Sequence, residues 1–371
     1  MRIVFTGGGT GGHIYPIVAI AREIKRIAEE ERIVDIELFY FGPESDSPET
    51  LKSEDIVFSR VSAGKIRRYF SFWNFTDIFK VIFGILEALW KMFAVMPDVV
   101  FCKGGYGAFP TILAARIYRI PVMVHESDAV PGRVNQWTGQ WAKRVAISFT
   151  GALKYFPKER TALTGVPVRK RILGGEIGQA KETLGVFSSK PVIFAMAGSQ
   201  GARVINQTIV QILKELTAKY EIIHQVGEKN YEDLRLETKP IIEGEREAYY
   251  HLAPFLDEGK MRSAYFLADL VISRAGSSIF EIAAVGKPAI LIPLKHAAQD
   301  HQRENAYQYA RRGGAVVIEE DNLTPSVLLH EIQTLLNDPE RLKQMKQAAQ
   351  SFARPDAAEL IAREILTLGL H

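Results

Sequence analysis

Near the start of the chain, Gly7-Gly8-Gly9-Thr10-Gly11-Gly12-His13 combines a permissive backbone with a titratable ring. Glycines let the main chain approach a ligand closely, and the N–H groups of a helix opening there attract anions. His13, with an ordinary pKa of about 6.5, could take a proton from a hydroxyl. A second glycine turn, Ala197-Gly198-Ser199-Gln200-Gly201-Ala202-Arg203, repeats the arrangement in the other half. A third element is Ser273-Arg274-Ala275-Gly276-Ser277-Ser278-Ile279-Phe280-Glu281. Ser277 or Ser278 suits a helix cap, and Glu281 would lie in a first turn, where the helix dipole favours a carboxylate. The same carboxylate could accept both hydroxyls of a ribose. The stretch His296 to Asn305, with Gln302, is dense in groups that hydrogen-bond sugar hydroxyls. Anion-binding turns, a ribose acceptor and sugar-binding groups together suit a nucleotide diphosphate sugar.

Other chemistries fit less well. Gly7, Gly9 and Gly12 satisfy G-x-G-x-x-G, but a dinucleotide fold also wants an acid at the end of the second strand. That strand ends Phe39-Tyr40-Phe41-Gly42-Pro43, without one. Asp35-Ile36-Glu37 lies inside a strand, so neither a metal site nor a cofactor is expected. Sugar transfer needs a base, stabilisation of an oxocarbenium-like centre and neutralisation of the departing diphosphate. His13 is the first candidate for base. Glu126 and Asp128, in His125-Glu126-Ser127-Asp128, compete for the role. Attack on the face opposite the leaving group inverts the anomeric carbon in one step.

The elements that must position these residues are short β-branched runs alternating with helical stretches. Strands are expected at Ile3–Thr6, Ile36–Phe41, Val57–Ser62, Val99–Cys102, Val122–His125 and Val145–Ser148. The pattern restarts with Val192–Ala197, Glu221–Gln225, Ala248–Leu252, Leu270–Ser273, Ala289–Pro293 and Ala315–Ile318. Ile17, Ile20, Ala21, Ile24 and Ile27 form one apolar stripe of a helix beginning near Pro16. Alternation of this kind predicts an α/β fold of two parallel sheets covered on both faces, with their glycine turns facing each other across a cleft. The expected domains are 1–165 and 166–339, with a C-terminal helix at about 340–371 packing back on the first.

At 371 residues the chain is long enough for two domains, and its net charge of +3 gives no case for nucleic acid. Charge is uneven, however: between Arg60 and Ile120 there are nine Lys/Arg against three acids. The lone Cys102 sits in an apolar run and reads as a buried, inert thiol. The opening Met1-Arg2-Ile3-Val4-Phe5-Thr6 leaves no room for a signal peptide before the glycines, so a cytoplasmic protein is expected. Ile78 to Met96 carries Lys80, Glu87 and Lys91, which argues against a transmembrane helix. Beside it, Tyr69-Phe70-Ser71-Phe72-Trp73-Asn74-Phe75 and the bases Lys65, Arg67 and Arg68 suit an anionic membrane surface.

Taken in order, the glycine run Thr6–His13, Lys103-Gly-Gly-Tyr106, His125–Gly132, Gly165-Val-Pro-Val-Arg169, Gly198–Ala202 and Arg274–Glu281 resemble the MurG family. These are bacterial N-acetylglucosaminyltransferases of peptidoglycan synthesis. The resemblance implies a GT-B fold with two Rossmann-like domains. It implies UDP-N-acetylglucosamine (UDP-GlcNAc) as donor and undecaprenyl-pyrophosphoryl-muramoyl-pentapeptide (lipid I) as acceptor. Inversion to a β-1,4 linkage would give lipid II and UDP at the cytoplasmic face of the membrane. By motif, Thr10, Gly11 and Gly12 would contact donor sugar or diphosphate, with Tyr106 and Gln200 among the substrate-binding residues. Arg169 and Ser199 would hold the diphosphate, and the Leu256 backbone the uracil. Glu281 would hold the ribose, Gln302 the GlcNAc hydroxyls, and Ser277 and Ser278 would flank them. The family's usual His-Glu-Gln-Asn reads His125-Glu126-Ser127-Asp128 here, so Asp128 accepts hydrogen bonds but does not donate. A glycolipid synthase or UDP-sugar epimerase of the same fold is the alternative.

Overall fold

The computed structural model describes residues 1–9, 11–44, 48–64, 73–196 and 202–370, without the side chains of 73–76, 78, 245 and 298. The chain divides into two compact units, Met1–Val168 with Arg354–His371, and Arg169–Ala353. The first holds β1 (Arg2–Thr6), β2 (Glu37–Gly42), β3 (Ile56–Arg60), β4 (Val99–Cys102), β5 (Val122–Glu126), β6 (Arg144–Ile147) and β7 (Thr161–Leu163). They form one parallel sheet in the order β3-β2-β1-β4-β5-β6-β7. The second holds β8 (Val192–Met196), β9 (Glu221–Gln225), β10 (Tyr250–Ala253), β11 (Leu270–Ser273), β12 (Ala289–Leu291) and β13 (Ala315–Val317). Its parallel order is β10-β9-β8-β11-β12-β13. Each unit is thus a Rossmann-like sheet.

Every residue of β4, β5, β8 and β9 is buried, as expected for strands covered on both faces. On one face of the first sheet, the stripe Ile17, Ile20, Ile24 and Ile27 packs with Phe5, Phe101 and the C-terminal Ile361, Ile365 and Leu366. On the other face, Met92, Ile112 and Ala115 pack on Val4, Val100 and Val124. The second core gathers Ile205, Ile209, Leu213, Ile272, Ile290 and Leu328.

Four local readings are corrected. The first helix spans Gly11–Glu31, so it opens inside the glycine loop and not near Pro16. Pro16 is carried within it, at the cost of the N–H that would donate to the Gly12 carbonyl. β7 has no apolar run to announce it; it is a three-residue edge strand with a half-exposed pattern. β3 and β10 are displaced from their expected bounds by one or two residues, within the scatter of element ends. The C-terminal arm is two helices: Pro339–Phe352 belongs to the second unit, and only Ala357–Leu370 packs on Gly11–Glu31. The break falls at Arg354-Pro355, where proline ends a helix and disfavours helical backbone before it.

Candidate active site

In the first unit the sheet grows outward in both directions from β1 and β4. Loops leaving these neighbours diverge and open a crevice at the carboxyl ends of the strands. Gly7–Gly9 leaves β1, and Lys103 to Tyr106 leaves β4. Because the helix opens at Gly11, the N–H groups of Gly11, Gly12 and His13 lack intrahelical acceptors and make an anion-attracting end. The His13 ring is seated between two glycines. A Cβ on Gly8 would stand 2.9 Å from its Cε1 and Nδ1, and one on Gly105, where φ is +83°, 3.2 Å from its Nε2. Burial first, and the Lys103 ammonium second, lower the pKa of His13. The imidazole is therefore neutral at pH 7, the form that accepts a proton.

Glu126 ends β5 and is 3% exposed. Its Oε1 accepts from the Asp128 N–H at 2.9 Å, and its Oε2 from the Gly132 N–H at 3.1 Å and Asn135 Nδ2 at 2.9 Å. It staples the loop 127–132 to the sheet. Burial, then the Asp128 charge, push its pKa up to about 7 against the opposing donors and Lys103. Lys103 is buried as well, and its Nζ donates to Ser127 Oγ at 2.9 Å. Asn135 also accepts from the Cys102 thiol across 3.6 Å. Burial pushes that thiol up to about 12, consistent with an inert cysteine. The His125 Nε2 lies 2.9 Å from the Gly165 carbonyl, which fixes β5 against the end of this unit.

In the second unit the equivalent reversal lies between β8 and β11. Arg169, 7% exposed, donates through Nη2 and Nε to Glu281 Oε1 at 2.8 and 3.3 Å. The fully buried Tyr265 hydroxyl donates to Glu281 Oε2 at 3.2 Å. Glu281 sits in the first turn of the helix Ser278–Ala284. A carboxylate held by a guanidinium, a phenol and a helix start is fixed in orientation. Ser277 occupies the cap position without a side-chain cap bond, and Ser278 Oγ turns back to the Arg274 carbonyl at 3.3 Å. Arg274 pairs with Glu320. Gln302 Oε1 accepts from the Leu294 N–H at 3.0 Å, holding a loop where Gln299 and Asp300 take positive φ. Leu256 is buried in the connection after β10, just before Asp257 caps the helix Glu258–Leu267.

Of the residues expected from sequence, His13, Gly11, Gly12, Tyr106, Glu126 and Asp128 stand at the carboxyl end of the first sheet. Arg169, Leu256, Ser277, Ser278, Glu281 and Gln302 belong to the second unit, most of them in loops or helix starts just beyond its strands. Thr10, Ser199 and Gln200 lie outside the described residues. Glu126 accepts from its own loop and from Asn135, and Arg169 is paired with Glu281. Lys103, Asn135 and Tyr265 went unread as site residues. Lys103 left a signal, a charge directly after the apolar strand Val-Val-Phe-Cys; the other two come from helices nearby in sequence and carry no motif. Among the described residues no group of three or more His, Cys, Asp or Glu is placed to hold a metal ion.

Comparison with known proteins places these features in a family. Residues 3–147 match the glycosyltransferase family 28 N-terminal domain, and residues 192–361 match its C-terminal domain. A Bacillus anthracis UDP-N-acetylglucosamine–N-acetylmuramyl-(pentapeptide) pyrophosphoryl-undecaprenol N-acetylglucosamine transferase 2 is 37% identical over 98% of this chain and 99% of its own. The Clostridium tetani transferase of the same activity is 35% identical over 98% of each chain. The crystal structure of Acinetobacter baumannii MurG superposes with a TM-score of 0.73 at 27% identity, covering 99% of this chain and all of that one. A Listeria monocytogenes putative UDP-N-acetylglucosamine 2-epimerase shares the fold, with a TM-score of 0.71 at 15% identity over 97% of this chain and 94% of its own. The chain belongs to glycosyltransferase family 28 and, within it, to the MurG group of N-acetylglucosaminyltransferases.

Proposed function

We propose that this chain transfers GlcNAc from UDP-GlcNAc to the muramoyl 4-hydroxyl of lipid I, with inversion, giving lipid II and UDP. The observation that carries the reading is the end-to-end match to transferases whose names state this donor and acceptor. The structure supports a division of labour. Glu281, oriented by Arg169 and Tyr265, takes the ribose hydroxyls, and the Leu256 connection takes the uracil. Gln302, its carbonyl held by Leu294, turns its amide N–H groups to the sugar. Ser277, Ser278 and the loop with Ser199 and Gln200 complete the donor side. In the first unit the neutral His13 receives the proton of the attacking hydroxyl. The helix start at Gly11 and Gly12, with Thr10, stabilises charge on the departing diphosphate. Asp128 accepts from a substrate hydroxyl, and Tyr106, 47% exposed, offers a face and a hydroxyl to substrate.

The chain works as a peripheral protein on the cytoplasmic, anionic face of the membrane. No helix among the described residues is long and apolar enough to cross a bilayer. The helix Trp73–Val95 instead exposes Phe79, Ile82, Phe83, Leu86, Trp90 and Phe93, each more than half open. Their spacing puts them on one face. Lys80 lies on the same helix, Arg116 stands exposed on the helix Phe109–Ile117 packed beside it, and Arg119 stands exposed two residues past its end. Apolar rings rimmed by bases suit acyl chains beneath anionic headgroups. The residues 65–72 that extended this stretch in the sequence lie outside the described residues.

The test is the product. Nuclear magnetic resonance of the disaccharide made from UDP-GlcNAc and a short-chain lipid I analogue is expected to show a β-1,4 linkage. An α linkage, or epimerised UDP-sugar in place of a disaccharide, would overturn the reading in favour of the alternative.

A further inference from the structure

One buried charge in the first unit has no part in the roles above. Lys103 closes β4 at 3% exposure. Its Nζ donates to Ser127 Oγ at 2.9 Å, the residue between Glu126 and Asp128. A Cβ built on Gly7 would lie 3.3 Å from Lys103 Cβ and 3.5 Å from His13 Cβ, so that one glycine separates the ammonium's stem from the ring. An ammonium this deep is retained only with compensating charge. Burial lowers the Lys103 pKa from the ordinary lysine value, and the Glu126 and Asp128 charges act against that loss. The groups around Lys103 are Cys102 on its own strand, His125 and Glu126 on β5, Asp128 on the stapled loop and His13 on the first helix.

We propose that Lys103 is a positioning residue of the transfer: a fixed cation that ties the 127–132 loop to β4 and biases His13 and Glu126 toward their proton-free forms. The inference rests on the proposed assignment of His13 as base. Lysine here does two jobs that a neutral side chain of equal length does not. It clamps Ser127, and its field acts on every titrating neighbour in one direction. Protonation of His13 beside a fixed positive charge is disfavoured, and so is protonation of the Glu126 carboxylate. The base is thereby kept ready below neutral pH.

The experiment compares wild type, Lys103→Met and Lys103→Arg in the acceptor-dependent reaction from pH 3.5 to 9. From a His13 midpoint of about 3, Lys103→Met is expected to move the acid limb of kcat up by about one unit, with roughly a twofold loss at pH 4 and almost none above pH 6. Lys103→Arg keeps the charge and is expected to leave the limb in place. A role confined to packing would lower kcat evenly across the range, and that result overturns the proposal. Should Lys103→Met not fold, a limb displaced in Lys103→Arg counts against it equally. A second readout does not depend on turnover: the His13 ring, labelled with carbon-13 and assigned by loss of its signal in His13→Gln, is titrated in wild type and Lys103→Met. An upward-moved midpoint supports the proposal even if the wild type proves inactive toward lipid I. An unmoved midpoint in an active enzyme refutes the proposal and leaves the transferase reading intact.

Discussion

Replacing Glu281 by Gln removes one charge of a buried pair and leaves its shape. The partner, Arg169, is 7% exposed and donates two hydrogen bonds to Glu281 Oε1, at 2.8 and 3.3 Å. Breaking a buried ion pair from one side costs about 3–5 kcal/mol, because the remaining charge stays desolvated. Glu258 remains 3.9 Å from Arg169 Nε and returns part of that loss. The lower figure, about 3 kcal/mol, is therefore expected. For a unit of this size each kcal/mol moves Tm by about 2–4 °C, so its transition falls by about 6–12 °C. UDP binding suffers separately. Two ribose hydroxyls donating to a carboxylate contribute about 1.5 kcal/mol each, and losing both weakens Kd on the order of 100-fold. Scanning calorimetry reads the first effect and titration calorimetry with UDP the second. The double variant Arg169→Met/Glu281→Leu is expected to recover most of the stability and none of the affinity. A Glu281→Gln protein with unchanged Tm and unchanged UDP affinity would rule out both the buried ion pair's contribution and the ribose contact.

Three further outcomes follow from the geometry. His13→Ala should lower kcat by about 10²–10⁴ and leave UDP affinity unchanged, read by steady-state kinetics beside titration calorimetry; unchanged turnover removes His13 as base. Gly8→Ala places a Cβ 2.9 Å from the His13 ring and should cost roughly tenfold or more in kcat with a small change in Tm. Glu126 has a folded pKa of about 7 against an ordinary 4.5, so its stabilising contribution is complete below about 4.5 and is lost as pH rises through about 7. Glu126→Gln should flatten that part of the first unit's stability profile, measured by urea unfolding at pH 4.5 and 8.

Much of the fold was legible because parallel strands buried on both faces read as unbroken apolar runs. Twelve of the thirteen strands were expected from their sequence, the fully buried β4, β5, β8 and β9 most plainly. The exception, Thr161–Leu163, pairs on one side only and buries too little to leave a pattern. Helix starts were less readable. Glycine and proline at Gly11, Gly12 and Pro16 argue locally against helix, yet the stripe Ile14 to Ile27, buried against β1 and β2, carries the helix back through them. For the site, sequence reveals which types stand at strand ends but not how they pair. Arg169 and Glu281 were both selected, as separate contacts to phosphate and ribose. Their mutual ion pair spans 112 positions and emerges only from the fold. Asn135 and Tyr265 are ordinary helix residues in sequence, and only tertiary packing turns them toward Glu126 and Glu281.

The most direct measurement of the central claim is UDP release from UDP-GlcNAc with and without a short-chain lipid I analogue. The expected result is release that depends on the acceptor, matched one for one by GlcNAc entering the lipid. UDP binding without release, or release at the same rate with no acceptor, would contradict it.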